Sequence, residues 1–336
     1  MLIEIKPEIF DGAIKFHEFA SLYYPLIERG RYDVFIDIEA INRTELFDKF
    51  PNEDKELMQL AYPLMLNKTV NYSIGKNEDD KTFNLKEAKY FFREPVLIFV
   101  ENDKYDAYFI DALFRCFTKE SKKITKHDNY NWLRYRSGGG ASSIPNTIQA
   151  VLREIEKLEL PKKSNKYIRG IVIIDSDKRY KNQPLAGSRN DIIEFCENNE
   201  IEYHVLEKRE MENYIPDEVI DNVAFETNDE YLKAYLNLTP FAKDYFDLEK
   251  GFSKINSYNK LSDEEKELFE NNDNFIIFRQ KWDNKKFHGK GISFKSEFPK
   301  LFQHEKVNKE TLLKRTLHQE NKTELKQILQ KINDLL

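Results

Sequence analysis

The middle of the chain alternates between short apolar runs and longer stretches in which apolar residues recur at helical spacing. Four runs predict strands: 96–100, 131–136, 171–174 and 203–206. Three stretches between them predict amphipathic helices: 106–117, 144–158 and 188–196. The runs 96–100 and 171–174 are uninterrupted and rich in Val and Ile, which is typical of strands buried on both faces. Residues 95–214 therefore predict a βαβαβαβα order and a mostly parallel sheet flanked by helices.

The regions before and after this sheet have less regular patterns. Two helix-like stretches and one alternating, strand-like stretch occur in the N-terminal part: 8–28, 53–66 and 32–38. This part contains no motif, so its role is left open. Towards the C-terminus the pattern is helical and strongly charged, and 312–336 predicts one amphipathic helix. The predicted fold class is α/β, with an N-terminal α+β region (1–94), a core (95–216) and a mainly helical C-terminal region (217–336) that contributes to the core domain.

Composition restricts the class of protein. The 336 residues include 25 Phe and 18 Tyr, enough for a large hydrophobic core. Cys116 and Cys196 both fall in apolar helical patterns, which indicates buried thiols in a reducing compartment, and the six His are not spaced as zinc ligands. No apolar stretch reaches the length of a membrane span, and the N-terminus lacks a signal-peptide pattern. We therefore expect a soluble, cytoplasmic protein with no membrane partner.

Charge is unevenly distributed. The formal net charge of −6 argues against a protein that coats nucleic acid. However, six basic side chains face two acids between 119 and 136, and seven face two between 161 and 181. Local patches of this kind suit phosphate contacts, although a solvated lysine-rich surface explains either patch alone. The candidate nucleic-acid contacts are Lys122, Lys123, Arg134, Arg136, Lys178 and Arg179.

Carboxylates follow three of the four predicted strands. Glu101 follows the first, Asp175 and Asp177 follow the third, and Glu212 comes after the fourth. In a parallel sheet these strand ends share one edge, where ligands bind in α/β proteins. Carboxylates gathered there repel one another unless a cation neutralises them, and all-oxygen ligands suit Mg²⁺ or Mn²⁺. Such an ion can activate a water and stabilise charge during displacement at phosphorus.

These segments carry a family resemblance. The runs Val96-Leu97-Ile98-Phe99-Val100-Glu101 and Ile171-Val172-Ile173-Ile174-Asp175-Ser176-Asp177 resemble the TOPRIM domain shared by topoisomerases, bacterial primases and several nucleases. The run 206–215 (LEKREMENYI) resembles the segment after the fourth strand in nucleases of the OLD (overcoming lysogenization defect) family and in stand-alone TOPRIM effectors. His288-Gly289-Lys290 resembles the Gly-Lys near the end of those nuclease domains. The resemblance covers about 95–216, and 280–300 loosely.

The resemblance implies roles for individual residues. Glu101 is expected to be a metal ligand and general base, Asp175 and Asp177 to hold Mg²⁺ or Mn²⁺, and Glu212 to complete a second metal position. Lys290 is expected to stabilise negative charge at phosphorus, although a solvated surface lysine explains it equally well. Gly138–Gly140 mark a turn that a phosphate could approach, and a plain glycine-rich turn explains the same residues.

The chain also departs from the family pattern. Asn102 stands where the family usually has Gly after the catalytic Glu, and the next acid is either Asp103 or Asp106 instead of one four residues on. We favour Asp106 as the second catalytic acid because it begins a helix. The chain lacks Gly-x-x-x-x-Gly-Lys-[Ser/Thr], so an ATPase of the kind found in OLD proteins would be a separate partner.

The resulting prediction is a metal-dependent endonuclease acting on DNA or RNA, in bacterial defence against phage. The alternatives are a non-catalytic TOPRIM-like module that binds a partner or a nucleotide, and a phosphotransfer or primase-like enzyme. The sequence leaves open whether DNA, RNA or a tRNA is cut, what triggers activity, and whether the protein is a homo-oligomer.

Overall fold

The described residues form two separate four-stranded sheets, and every strand pair in these sheets is parallel. The computed structural model describes residues 1–11, 14–66, 68–76, 79–255, 260–269, 276–279 and 294–336. The strands are β1 (Leu2–Ile5), β2 (Asp33–Ile36), β3 (Tyr72–Ile74), β4 (Thr82–Phe83), β5 (Val96–Val100), β6 (Leu133–Ser137), β7 (Gly170–Ile174) and β8 (Glu202–Val205).

The helices of the described residues surround both sheets. Before and within the second sheet they are α1 (Phe16–Ile27), α2 (Ile38–Ile41), α3 (Glu45–Asp48), α4 (Asn52–Met65), α5 (Leu85–Phe91), α6 (Asp106–Cys116), α7 (Lys122–Asn129), α8 (Ile144–Glu156) and α9 (Gly187–Asn198). After it come α10 (Asp217–Thr227), α11 (Glu230–Leu236), α12 (Pro240–Tyr245), α13 (Asp263–Leu268), α14 (Phe294–Glu297), α15 (Lys309–Lys314) and α16 (Glu324–Leu335).

The N-terminal sheet has the order β2-β1-β3-β4. Strand β1, one of its two central strands, buries Ile3 and Ile5, and α1 buries Phe19 and Leu22 in the same core. This core extends to the segments around the second sheet, because Ile155 of α8 and Tyr167, just before β7, pack in it. Arg169 Nη1 also donates a hydrogen bond to the Tyr32 hydroxyl (2.6 Å). The two sheets are thus joined by apolar packing as well as by polar contacts.

The second sheet has the order β6-β5-β7-β8, and its two central strands are buried along their whole length. Gly170, the first residue of β7, pairs with Leu97 on β5. An added Cβ there would lie 2.9 Å from the Phe99 ring and 3.1 Å from the Leu97 carbonyl oxygen. A glycine at this position therefore permits the close approach of the two strands.

Each face of the second sheet has its own hydrophobic core. Ile98 and Ile171 face α6 and the C-terminal helices, which pack on that side. Phe99 and Val172 face α8 and α9 on the other side. Because side chains alternate along a strand, continuous apolar runs are required when both faces are covered. The helical C-terminal region thus serves as one layer of the core domain.

The predicted α/β class is confirmed, with parallel sheets flanked by helices and a helical C-terminal region. The prediction of one helix over 312–336 is wrong. α15 ends at Lys314 and α16 begins at Glu324. Arg315 and Thr316 are buried in the intervening turn, and the Arg315 Nη2 donates a hydrogen bond to the Asn213 carbonyl oxygen (2.8 Å). Among the described residues, no helix combines the length and apolar character needed to cross a membrane.

Candidate active site

The acids predicted from the sequence lie along the carboxyl edge of the second sheet. Glu101 directly follows β5, and Asp175 directly follows β7. Glu212 lies in a short 3₁₀ helix, Met211–Tyr214, after β8. Since β5, β7 and β8 are consecutive neighbours in the sheet, their loops lie side by side. This edge, with Glu101, Asp106, Asp175, Asp177, Glu210 and Glu212, is called the carboxylate edge below.

The loops after β7 and β8 are joined by hydrogen bonds. The three bonds run from Ser176 Oγ–H to the Lys208 carbonyl (2.7 Å), from Asp177 N–H to the Arg209 carbonyl (3.0 Å) and from Met211 N–H to Asp175 Oδ1 (2.9 Å). Asp177 has a φ of +55°, a left-handed conformation that Asp tolerates better than most residues. The polar Asp-Ser-Asp sequence thus suits a tight turn that positions the Asp175 carboxylate.

The glycine-rich turn after β6 positions Glu101. Gly140 N–H donates to the Glu101 carbonyl oxygen (3.0 Å), and the Ala141 N–H bonds to the Glu101 carboxylate. Gly139 and Gly140 have φ of +81° and +136°, conformations that favour glycine. These contacts account for the glycines by the geometry of the turn alone.

Arg189 bridges the acids that follow two different strands. Arg189 is the third residue of α9 and is only 5% exposed. Its Nη2 lies 2.7 Å from Glu101 Oε1 and 2.7 Å from Asp177 Oδ2, and its Nε donates to the Asp175 carbonyl oxygen (2.9 Å). A guanidinium can make several directed bonds at once, so Arg189 offsets part of the negative charge at this edge.

The pKa values of several carboxyl groups at this edge are raised, because the groups are removed from water and lie near other carboxylates. Burial, followed by the neighbouring Glu101 and Glu212 carboxylates, raises the pKa of Asp175 well above its ordinary value. Burial raises the pKa of Asp106 to about 7, with Glu212 and Glu101 adding to the effect. Burial and the Asp247 carboxylate raise the pKa of Glu210 to about 8. Mutual effects of this kind require the groups to lie close together.

Glu101 and Glu212 have raised pKa values for the same main reason, which is burial. Lys295 on α14 acts in the opposite direction on both groups, so its ammonium lies near this edge. Lys290, which the sequence suggested as the catalytic lysine, lies outside the described residues. Among the described residues, Lys295 is therefore a cation available to act on a substrate at the carboxylate edge.

The positions of Asp103 and Asp106 in the structure distinguish these two candidates for the second catalytic acid. Asp103 is exposed in the turn after Glu101. Asp106 is half-buried at the start of α6, and its Oδ2 accepts a hydrogen bond from the Asn102 N–H (2.8 Å). The structure therefore brings Asp106, and not Asp103, among the other acids.

The predicted nucleic-acid contacts lie in three places. Lys178 and Arg179 follow Asp177 directly, and the Arg179 Nη1 lies 3.4 Å from Glu265 Oε1. Arg134 and Arg136 are exposed on the edge strand β6.

Lys122 and Lys123 lie on α7, which leads into the opposite end of β6. Burial lowers the pKa of the Met1 amino group to about 5, and the nearby Lys123 ammonium adds to this effect. The structure thus brings Lys178 and Arg179 to the carboxylate edge, and it does not bring Lys122 and Lys123 there.

Sequence reasoning missed three members of this edge, Arg189, Glu210 and Lys295. Glu210 stands two residues before Glu212 in a segment that already attracted attention, so its spacing was an available signal. Arg189 has no comparable signal, because it is 88 residues from its partner Glu101.

Comparison with known proteins gave no match to any family model, curated protein or solved structure.

The donor chemistry of the carboxylate edge fits a hard divalent cation. In the described part of the chain, no three His, Cys, Asp or Glu side chains are already gathered tightly enough to hold a metal ion. The acids are nevertheless close enough to raise one another's pKa, and they offer only oxygen donors. Oxygen donors with uncompensated negative charge are the ligands that Mg²⁺ and Mn²⁺ prefer.

Proposed function

We propose that this protein is a metal-dependent nuclease that cleaves phosphodiester bonds of DNA or RNA at the carboxylate edge. The observation that carries the proposal is the meeting of Glu101, Asp106, Asp175 and Glu212 at adjacent strand ends, with raised pKa values. Buried carboxylates that destabilise one another are a recognised mark of functional sites. The resemblance of these segments to TOPRIM nucleases of the OLD type supports the same reaction.

In this proposal Glu101, Asp175, Asp177 and Glu212 would hold Mg²⁺ or Mn²⁺. When bound, the cation would supply Lewis acidity toward a phosphate oxygen and a lowered pKa for water. Arg189 holds the Glu101 and Asp177 side chains in place from α9.

The remaining roles belong to acid–base and charge-stabilising groups. Asp106, whose pKa is raised to about 7, is suited to accept and release a proton near neutral pH. A lysine would stabilise the negative charge that develops on the phosphate, and the effect of Lys295 on Glu101 and Glu212 makes it a candidate alongside Lys290.

The biological setting is proposed from the resemblance. It comprises a cytoplasmic enzyme of bacterial antiphage defence, with a separate ATPase as regulatory partner. Lys178 and Arg179, beside Asp177, are the best-placed candidates to hold the phosphate backbone.

The test compares Glu101→Ala and Asp175→Ala with the control Asp103→Asn, which removes an exposed acid from the same loop as Glu101. We expect the first two variants to lose metal-dependent cleavage by at least about 100-fold, because each loses a ligand oxygen. The control should keep wild-type activity. Circular dichroism would establish that all three variants are folded. Full activity in both alanine variants would refute the proposed site.

A non-catalytic binding module is the second candidate, and one observation favours it. Arg189 already pairs with Glu101 and Asp177, so these acids have a partner within the protein itself. Calorimetric titration with Mn²⁺ separates the two. The nuclease proposal predicts binding that Asp175→Ala abolishes, whereas the module predicts no binding at the carboxylate edge.

A further inference from the structure

A large cavity opens beside the loop that carries Asp177. Its volume is about 690 Å³, within the range of pockets that hold small organic groups. One wall comes from the loop after Asp177, a second from the segment around α12, and a third from α13 and the residue after it. We call it the aromatic cavity, and its lining includes Tyr180, Asn182, Asn237, Phe241, Tyr245 and Glu267.

Phe241, an exposed aromatic residue of the cavity, is held in place by contacts with its neighbours. Phe241 is 45% exposed, yet its ring stands edge-on to the His318 ring, with centroids 5.0 Å apart and an interplanar angle of 86°. His318 Nε2 is fixed in turn 2.6 Å from Asp244 Oδ2. Tyr245, one helical turn further along α12, is a second aromatic residue of the lining and is buried. A rigid, exposed aromatic face is suited to stacking on a flat ligand.

The polar groups of the cavity suit the edge of a base better than a phosphate. The side-chain amides of Asn182 and Asn237 form no hydrogen bond within the described parts of the chain, so both donors and acceptors are available there. Glu264 and Glu267 add two carboxylates, which repel phosphate but accept hydrogen bonds from amino groups of bases. Lys181, the cation in the lining, is paired with Glu320.

The cavity lies close to the carboxylate edge. Tyr180 is three residues from Asp177, so their Cα atoms are at most about 11 Å apart. A smaller cavity shares Tyr245 and Phe269 with the aromatic cavity and is lined by Arg209 and Asp247, which flank Glu210. The ion pair between Arg179 and Glu265 ties the Asp177 loop to the far wall.

We infer that the aromatic cavity binds an unpaired nucleobase of the substrate strand while the adjoining phosphodiester lies at the carboxylate edge. The inference rests on the proposed nuclease function and specifies its substrate class. Bases within a duplex are stacked and paired, so a base can enter the cavity only from a single strand, a loop or a flipped-out position. The protein should therefore select single-stranded segments of DNA or RNA.

The test measures binding without catalysis. A short labelled oligonucleotide, as DNA and as RNA, is titrated in EDTA by fluorescence anisotropy, and the same strand in a duplex is titrated in parallel. Phe241→Ala should weaken single-strand binding by roughly 5- to 100-fold, the usual range for loss of one stacked base. Duplex binding, which depends on phosphate contacts, should not change. Phe241→Tyr, which keeps the ring, should restore single-strand binding and thereby exclude misfolding as the cause.

Phe225→Ala is the matched control, since Phe225 is 83% exposed and does not line the cavity. Its binding should equal that of the wild type. Unchanged single-strand affinity in Phe241→Ala, or equal losses for single strand and duplex, would overturn the inference. A free nucleoside monophosphate that competes as strongly as the oligonucleotide would also overturn it, because the cavity would then serve a small ligand.

Failure of this inference can be distinguished from failure of the proposed function. Cleavage in Mn²⁺ by both wild type and Phe241→Ala, with equal single-strand affinity, would remove the cavity proposal and leave the nuclease. Binding that depends on Phe241, with no cleavage of any nucleic acid in Mg²⁺ or Mn²⁺, would support the cavity and remove the nuclease.

Discussion

Replacing Asp106 by Asn should stabilise the metal-free protein at alkaline pH. Asn keeps the shape of the side chain and an oxygen that can accept the hydrogen bond from the Asn102 N–H, which is 2.8 Å long. It removes a negative charge from a group of acids that already repel one another. Stability and catalysis are therefore expected to change in opposite directions at this residue.

The magnitude follows from the pKa of Asp106. Burial, with added effects from Glu212 and Glu101, raises this pKa from 3.8 to about 7. Such a rise corresponds to as much as about 4 kcal/mol between the two protonation states. Because the folded-state pKa lies above the unfolded value, ionisation of Asp106 removes stability from the wild type as the pH rises from about 4 to about 7, and the variant lacks this contribution.

The assay is urea unfolding in EDTA at about pH 5 and about pH 8, followed by circular dichroism. At the higher pH, Asp106→Asn should increase the free energy of unfolding by about 1–4 kcal/mol, which corresponds to a rise in Tm of roughly 2–6 °C. At the lower pH the gain should be clearly smaller. Asp103→Asn, the exposed neighbour, should stay within about 0.5 kcal/mol of the wild type at both pH values. A gain of equal size at both pH values, or a loss at the higher pH, would refute the electrostatic reasoning.

Three further substitutions test other contacts. Arg189→Gln should reduce the free energy of unfolding in EDTA by about 2–4 kcal/mol at high pH and by less at low pH, where Glu101 is more protonated; equal losses would contradict this. Lys208→Met removes the ammonium that lies 2.7 Å from the buried Asp244, leaves that carboxylate with His318 and Arg315, and should cost about 3 kcal/mol in urea unfolding. Gly170→Ala should cost about 1–3 kcal/mol by the same measurement, through overpacking of the central strands.

The sequence was informative where local pattern determines structure. β5 and β7 are apolar along their whole length, since both faces of the sheet are covered, and this is visible in any window of the sequence. β1, β3 and β4, which contain two to four residues, were missed. Such short strands are fixed mainly by their neighbours in the sheet, which a local pattern cannot show.

Contacts between charged groups that are far apart in the sequence were harder to predict. The acids of the carboxylate edge could be placed together because parallel strands bring their carboxyl ends to one edge. The amphipathic pattern near the C-terminus, however, is interrupted by the turn at Arg315. There the Arg315 guanidinium donates a hydrogen bond to the Asn213 carbonyl oxygen, 102 residues away in the sequence. Arg189 and the aromatic cavity depend likewise on pairings that only the assembled fold reveals.

The most direct test of the account is incubation of the purified protein with plasmid DNA, linear DNA and total RNA, each with Mg²⁺, with Mn²⁺ and with EDTA, followed by gel electrophoresis. Glu101→Gln, which keeps the size of the side chain and removes its charge, serves as the matched inactive variant. We predict cleavage of at least one substrate by the wild type in the presence of metal, none in EDTA, and none by the variant. Absence of cleavage of every substrate under both metals, or equal cleavage by wild type and variant, would contradict the assignment of the carboxylate edge as a nuclease site.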